Sequence, residues 1–189
     1  VTLHAGTLCL NGNEKASCAR VWQFNNIKGS VTAHDIQLYS SHEQKIEEWN
    51  LIWDDGILEK AHEYRNQNLP NETGGIIVGY IDQYSKQIFI VDIRKSPEDS
   101  VSTPRSFQRG VQGVADDVDM IKNRTAHIVS YIGEWHSHPD SIPAKPSSED
   151  SRQLECTYEK MASCGQPGIL VIVGQQEFTF CIKEYEVRL

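Results

Sequence analysis

The segment Gly74–Ile81 (GGIIVGYI) is an almost unbroken apolar run of strand length, bounded by turn signals, and it reads as a buried β-strand. A buried strand needs partners and a covering layer, and the neighbouring sequence supplies both. Gln87–Ile93 reads as a second strand, with Asp82–Lys86 as the turn between the two. His127–Trp135 reads as another buried strand, and Ile169–Val173 with Glu177–Ile182 as a closing hairpin around Gly174-Gln175-Gln176. Gly113–Asn123 has helical spacing through Val114, Val118 and Ile121, and Ser148–Ser163 also reads as helix. Ser96–Gly110 is polar and rich in Ser and Pro, hence a loop, and His136–Pro146 is a loop stiffened by Pro139, Pro143 and Pro146. From residue 55 the order is helix, two strands, helix, strand, helix, two strands. That order predicts an α/β or α+β domain with a mostly buried central sheet flanked by helices.

Upstream the pattern differs. Ile46, Trp49, Trp53, Ile57, Leu58, Ala61 and Tyr64 recur at three- and four-residue steps. This spacing predicts an amphipathic helix from about Gln44, divided at Asp54-Asp55-Gly56 and ended at Leu69 by Pro70. Val1–Leu10 and Arg20–Phe24 have strand character, Asn11–Gly12 is a turn signal, and His34–Tyr39 alternates as a half-buried strand does. With Trp22, Trp49 and Trp53 adding apolar mass, residues 1–50 are expected to form a folded leading segment without chemistry of its own. Residues 51–189 are expected to form the main domain.

Composition removes several function classes. The 189 residues suffice for one ordinary domain, or for one domain with an attached segment. Lys and Arg number 18 against 26 Asp and Glu, a net charge of −8. That balance argues against nucleic acid as a partner, since phosphate binding wants a basic face. No apolar run is long enough to span a bilayer, so no membrane association is expected. The five cysteines are odd in number and form no Cys-x-x-Cys pair. They read as free thiols in a reducing, cytoplasmic setting.

The chemistry-bearing stretch is Gly133-Glu134-Trp135-His136-Ser137-His138-Pro139, followed by Pro146-Ser147-Ser148-Glu149-Asp150. Side chains alternate along a strand, so His136 and His138 project to one side and can grip one metal ion together. Asp150, near the start of the next helix, can swing a carboxylate into the same space. Two imidazoles and one carboxylate leave a fourth tetrahedral position open, the pattern of a catalytic zinc site. Each element also has an ordinary reading: a His-x-His pair can be incidental, and Ser147 with Asp150 three residues on is a helix N-cap signature. The conjunction in one short, Pro-stiffened segment carries the argument. A metallohydrolase also needs a base for the attacking water, and Glu72, in Asn71-Glu72-Thr73-Gly74-Gly75 at the mouth of the first buried strand, is the candidate.

Glu72-Thr73-Gly74-Gly75, His136-Ser137-His138-Pro139 and Pro146-Ser147-Ser148-Glu149-Asp150 together resemble the JAMM/MPN+ (JAB domain) zinc metallopeptidases over about residues 55–185. The resemblance implies a cytidine-deaminase-like JAB/MPN fold with a central mixed sheet. It implies one zinc ion held by His136, His138 and Asp150, with Glu72 as general acid/base and Ser147 stabilising the oxyanion. The implied reaction is hydrolysis of the amide or isopeptide bond after the C-terminus of a ubiquitin-like protein, in deconjugation or precursor processing.

Eleven residues separate His138 from Asp150, where the family usually has ten, so Glu149 occupies the usual spacing for the third ligand. The Pro-Ser-x-x-Asp unit favours Asp150, with the extra residue placed in the Asp140–Lys145 loop. Glu134 shares the strand face of the histidines and is expected in a salt bridge or behind the ligands. Arg105, Phe107 and Arg109 either contact a substrate tail or sit in a solvated loop, and the loop is the preferred expectation. The short chain after Asp150 looks like bacterial JAB peptidases, which are often encoded with or fused to E1- and E2-like conjugation enzymes, including in antiviral operons. A first residue other than Met fits a domain excised from such a fusion. Two other readings stand beside this one: a catalytically inactive MPN scaffold that binds partners, and a JAB hydrolase releasing a small amide adduct from a sulfur-carrier-like protein.

Overall fold

The three- and four-residue apolar spacing that begins at Ile46 turns out to serve two kinds of structure. In a computed structural model describing residues 2–9, 18–25, 28–37 and 40–184, Ser41–Ile46 (β4) and Trp49–Asp54 (β5) form an antiparallel hairpin, and only then does a helix, Asp55–Asn68 (α1), begin. The predicted helix over residues 44–54 is therefore corrected to strand. Trp49, Leu51 and Trp53 also repeat at period two, and Leu51, off the helical stripe, is 0% exposed. The hairpin turn holds Glu47 at a φ of 54°, and Ile46 faces Trp49 across it. Asp54 ends β5 and caps α1, its carboxylate accepting from the Ile57 amide at 3.1 Å. Leu69 is extended at the helix end, as the following proline requires.

The chain divides into two compact units, Val1–Ser40 and Ser41–Leu189. In the first, Thr2–Cys9 (β1), Cys18–Asn25 (β2) and Ser30–Gln37 (β3) form an antiparallel three-stranded sheet in the order β1-β2-β3. The Asn11–Gly12 turn signal and the side chain of Trp22 lie outside the described residues. Residues 41–50, grouped above with the leading segment, belong to the sheet of the second unit.

In the second unit the apolar runs become central strands. Gly74–Asp82 (β6), Gln87–Ile93 (β7), Ser130–Ser137 (β10), Gly168–Val173 (β11) and Phe178–Lys183 (β12) join β5 and β4 in a seven-stranded mixed sheet. The strand order is β12-β11-β10-β6-β7-β5-β4, with β10–β11 and β5–β7 parallel and the other pairs antiparallel. Two further helices, Val114–Arg124 (α2) and Ser148–Ala162 (α3), complete the layers. The Ser96–Gly110 segment, expected as plain loop, contains a small hairpin of Val101–Thr103 (β8) and Ser106–Gln108 (β9).

Both sheet faces are covered, which explains why the central strands are apolar throughout. On one face Ile57 and Ala61 of α1 pack on Ile77, Ile88, Ile90, Ile93 and Trp135. On the other, Val118 of α2 packs on Ile76 and Val78, and Leu154 of α3 packs on Leu170 and Ile172. Register sets the rest. Glu134 pairs with Leu170 and His136 with Ile172, so the acid and the histidine emerge on the face that α3 covers. No helix among the described residues is long and apolar enough to cross a membrane.

Candidate metal centre

The C-terminal end of β10 carries His136, and His138 follows directly after the strand, at the edge of α3. Ser137, between them, faces the opposite way and ties the strand to the residue after Glu72. Its hydroxyl accepts from the Thr73 amide at 3.1 Å, and its own amide donates to the Thr73 carbonyl at 2.6 Å. His138 is fixed at the backbone by its amide donating to Val173 at 2.8 Å. Its ring Nδ1 is 2.7 Å from the Pro143 carbonyl, which orients the ring and turns Nε2 toward the cluster.

Asp150 arrives from α3 through a capping box. The Ser147 hydroxyl accepts from the Asp150 amide at 3.2 Å, and the Ser147 amide donates to Asp150 Oδ2 at 2.6 Å. The carboxylate meets both imidazoles: His136 Nε2 lies 3.1 Å from Oδ1 and His138 Nε2 lies 3.7 Å from Oδ2. The two Nε2 atoms are 3.3 Å apart. All three side chains are buried. Glu149, by contrast, is exposed and pairs with Arg152 at 2.9 Å, so the carboxylate that reaches the histidines is Asp150.

These separations test the fit of a metal ion. Tetrahedral zinc with bonds of about 2.0–2.2 Å sets its ligand atoms ~3.3–3.6 Å apart; the two Nε2 atoms, and each Nε2 with its nearer carboxylate oxygen, lie close to that spacing, and one ligand atom from each residue lies within 4.8 Å of the others. Two imidazole lone pairs and a carboxylate facing one another in a buried pocket also call for a proton or a cation between them. His136 Nδ1, buried without a partner among the described residues, leaves Nε2 as the ring atom engaged with the cluster. The residues fit a divalent cation.

Charge within the cluster follows the same geometry. Burial works against the Asp150 carboxylate, but hydrogen bonds from His136, His138 and the Ser147 amide overcome it and hold the carboxyl far below the usual range. The hydrogen bond its ring donates to Asp150 lifts His138 above an ordinary imidazole, against its own burial. Burial raises the Glu72 carboxyl, with the neighbouring His136 and His138 pulling the other way. Glu72 is 8% exposed, at the entrance to β6. Its amide donates to the Thr103 carbonyl at 2.9 Å, and the Ser102 hydroxyl donates to its carbonyl. A Cβ on Gly74 would lie 2.3 Å from the Trp135 carbonyl oxygen and 2.5 Å from the Phe107 ring, so the glycine after Thr73 is what lets β6 pass this close.

Glu72, His136, His138, Ser147 and Asp150 all line one cleft of about 980 Å³. Its walls are the β8–β9 hairpin and α3, and its floor is β10. Arg109, expected in a solvated loop, instead drops into this floor and forms a forked pair with Glu134 at 2.6 and 2.8 Å. Tyr131 donates to the same carboxylate at 3.0 Å. Glu134 is thus held in a salt bridge, one of the two roles expected for it. Arg105 is exposed and Phe107 half-buried on the cleft wall.

Sequence reasoning passed over Arg65. It is 2% exposed, and its Nε donates to the His138 carbonyl at 2.8 Å while its Nη2 donates to Asp140 Oδ1 at 2.6 Å. The signal was present: Ile57, Ala61 and Arg65 are four residues apart on one buried helical stripe, and a charge in such a stripe marks a partner.

With this geometry in place, comparison with known proteins is informative. The family model described as prokaryotic homologs of the JAB domain matches residues 54–186. A protein of Enterobacter hormaechei named CD-NTase/cGAS isopeptidase is 33% identical over 105 residues, 55% of this chain and 56% of that protein. A probable metalloprotease of Sinorhizobium fredii is 25% identical over 107 residues, 56% of this chain and 65% of its own length. A Vibrio cholerae protein, also named CD-NTase/cGAS isopeptidase, is 26% identical over 133 residues, 69% of this chain and 80% of that protein. The chain thus spans less than two thirds of the first two relatives.

Proposed function

The chain belongs to the prokaryotic JAB-domain family, and on that footing we propose that it is a zinc-dependent isopeptidase. Its substrate in this reading is a conjugate or precursor in which an amide bond follows the C-terminus of a ubiquitin-like protein. The observation that carries the reading is the convergence of His136 Nε2, His138 Nε2 and the Asp150 carboxylate, with Glu72 in the same cleft.

A zinc ion held by these three residues would polarise the scissile carbonyl and lower the pKa of a water toward neutrality. Glu72 takes the proton from the attacking water and returns it to the departing amine, and burial raises its carboxyl in the direction that favours taking the proton. The Ser147 hydroxyl accepts from the Asp150 amide, which leaves its own proton to donate to the carbonyl oxygen as charge develops there. The Arg109–Glu134 pair neutralises the cleft floor, so the acid beside His136 does not compete for the metal.

The names of the Enterobacter and Vibrio relatives favour a protein conjugate over a small amide as substrate. E1- and E2-like conjugation enzymes are the partners this predicts, in a cytoplasmic antiviral pathway. The test is cleavage of a ubiquitin-like protein fused through its C-terminal glycine to a reporter. Cleavage that Glu72→Ala abolishes supports the reading. Full zinc loading without cleavage of any such fusion favours a binding scaffold instead.

A further inference from the structure

Burying a guanidinium is costly unless every donor is satisfied, yet α1 turns Arg65 inward where Met or Leu would continue its apolar stripe. What Arg65 meets there is the loop that follows the second histidine. Its Nε donates to the His138 carbonyl at 2.8 Å, its Nη2 to Asp140 Oδ1 at 2.6 Å, and its Nη1 to Asn66 Oδ1 at 3.3 Å. Asp140 is largely exposed, so the buried end of the interaction is the one that holds the histidine.

His138 then has three anchors. The Val173 carbonyl takes its amide proton, the Pro143 carbonyl faces its ring Nδ1, and Arg65 binds its carbonyl oxygen. The first comes from β11 and the second from the Pro-stiffened loop. Arg65 holds that loop from beneath through Asp140, so it supports the second anchor as well as forming the third. His136 needs no such device, because its backbone lies within the β10 ladder and pairs with Gly74 and Ile172.

We propose that Arg65 is a positioning residue for the metal centre: from the far face of the sheet it fixes the backbone of His138 so that Nε2 points at His136 and Asp150. The inference rests on the proposed metal site. Groups that orient a metal-binding histidine typically contribute about ten- to a hundredfold in metal affinity. Arg65→Met removes every donor while keeping the apolar stem. Arg65→Lys keeps a charge for Asp140 but lacks the planar fork that reaches two acceptors at once.

The test is titration of cobalt(II) into metal-stripped protein, read by its visible absorption bands, with urea unfolding of the same variants. Arg65→Met is expected to bind cobalt(II) ten- to a hundredfold more weakly, with bands shifted from those of the wild type. Arg65→Lys should fall between the two. An arginine that serves folding alone would lower the urea midpoint and leave the affinity and the bands unchanged. Affinity within threefold of wild type and superimposable bands in Arg65→Met overturn the proposal. Should that variant not fold, the same criterion applied to Arg65→Lys decides. A wild-type protein that binds no cobalt(II) refutes the metal centre itself, an outcome distinct from failure of Arg65 alone.

Discussion

His136 Nε2 lies 3.1 Å from Asp150 Oδ1, although one residue lies near the end of a central strand and the other in the first turn of a helix beyond a loop with three prolines. The capping box of α3 makes this meeting reproducible. It fixes one carboxylate oxygen on the Ser147 amide and turns the other toward the imidazole.

Asp150 and Glu149 are therefore expected to separate cleanly. Asp150→Asn, which keeps the size and the cap geometry, should abolish tight metal binding and hydrolysis together. Glu149→Gln should leave both within about twofold of wild type, because Glu149 is exposed and its partner among the described residues is Arg152, not a histidine. Metal analysis of the two purified variants checks this.

Glu72→Gln should reduce turnover about a hundredfold to ten-thousandfold, the usual contribution of a positioned proton carrier. Its metal content should match the wild type, since the ligands are elsewhere. Parallel measurement of turnover and bound metal distinguishes a lost base from a damaged site.

Gly74→Ala should destabilise the domain by about 1–3 kcal/mol, the usual cost of overpacking. The added methyl meets the Trp135 carbonyl, which is backbone held in the β6–β10 ladder and cannot move aside. Chemical denaturation gives the value directly.

Asp117 links stability to pH. The Arg94 guanidinium forms two hydrogen bonds with it, at 2.7 and 2.8 Å, and holds its carboxyl below the ordinary 3.8. A carboxyl depressed in the folded state contributes stability above its unfolded pKa and loses it as the pH falls through the folded value. Asp117→Asn should thus be less stable than wild type at pH 7, and the difference should shrink steadily below about pH 4. Urea midpoints across that interval test the sign.

Much of this was legible in the sequence, for identifiable reasons. The central strands are buried on both faces, so Gly74–Ile81 and Ile169–Val173 announced themselves by composition alone. The His-x-His pair was legible because strand periodicity dictates a shared face. The β4–β5 hairpin was not, because Ile46, Trp49 and Trp53 satisfy helical spacing and only Leu51 argues against it. Arg109 was misread as solvated because its partner, Glu134, lies 25 positions away, and no local pattern reports a tertiary ion pair.

The most direct measurement titrates zinc into chelator-stripped protein while following cleavage of a ubiquitin-like C-terminal fusion in the same samples. Activity should rise in proportion to added zinc and level off at one ion per chain. Full cleavage by the metal-free protein, or saturation with zinc that yields no cleavage, would contradict a catalytic ion held by His136, His138 and Asp150.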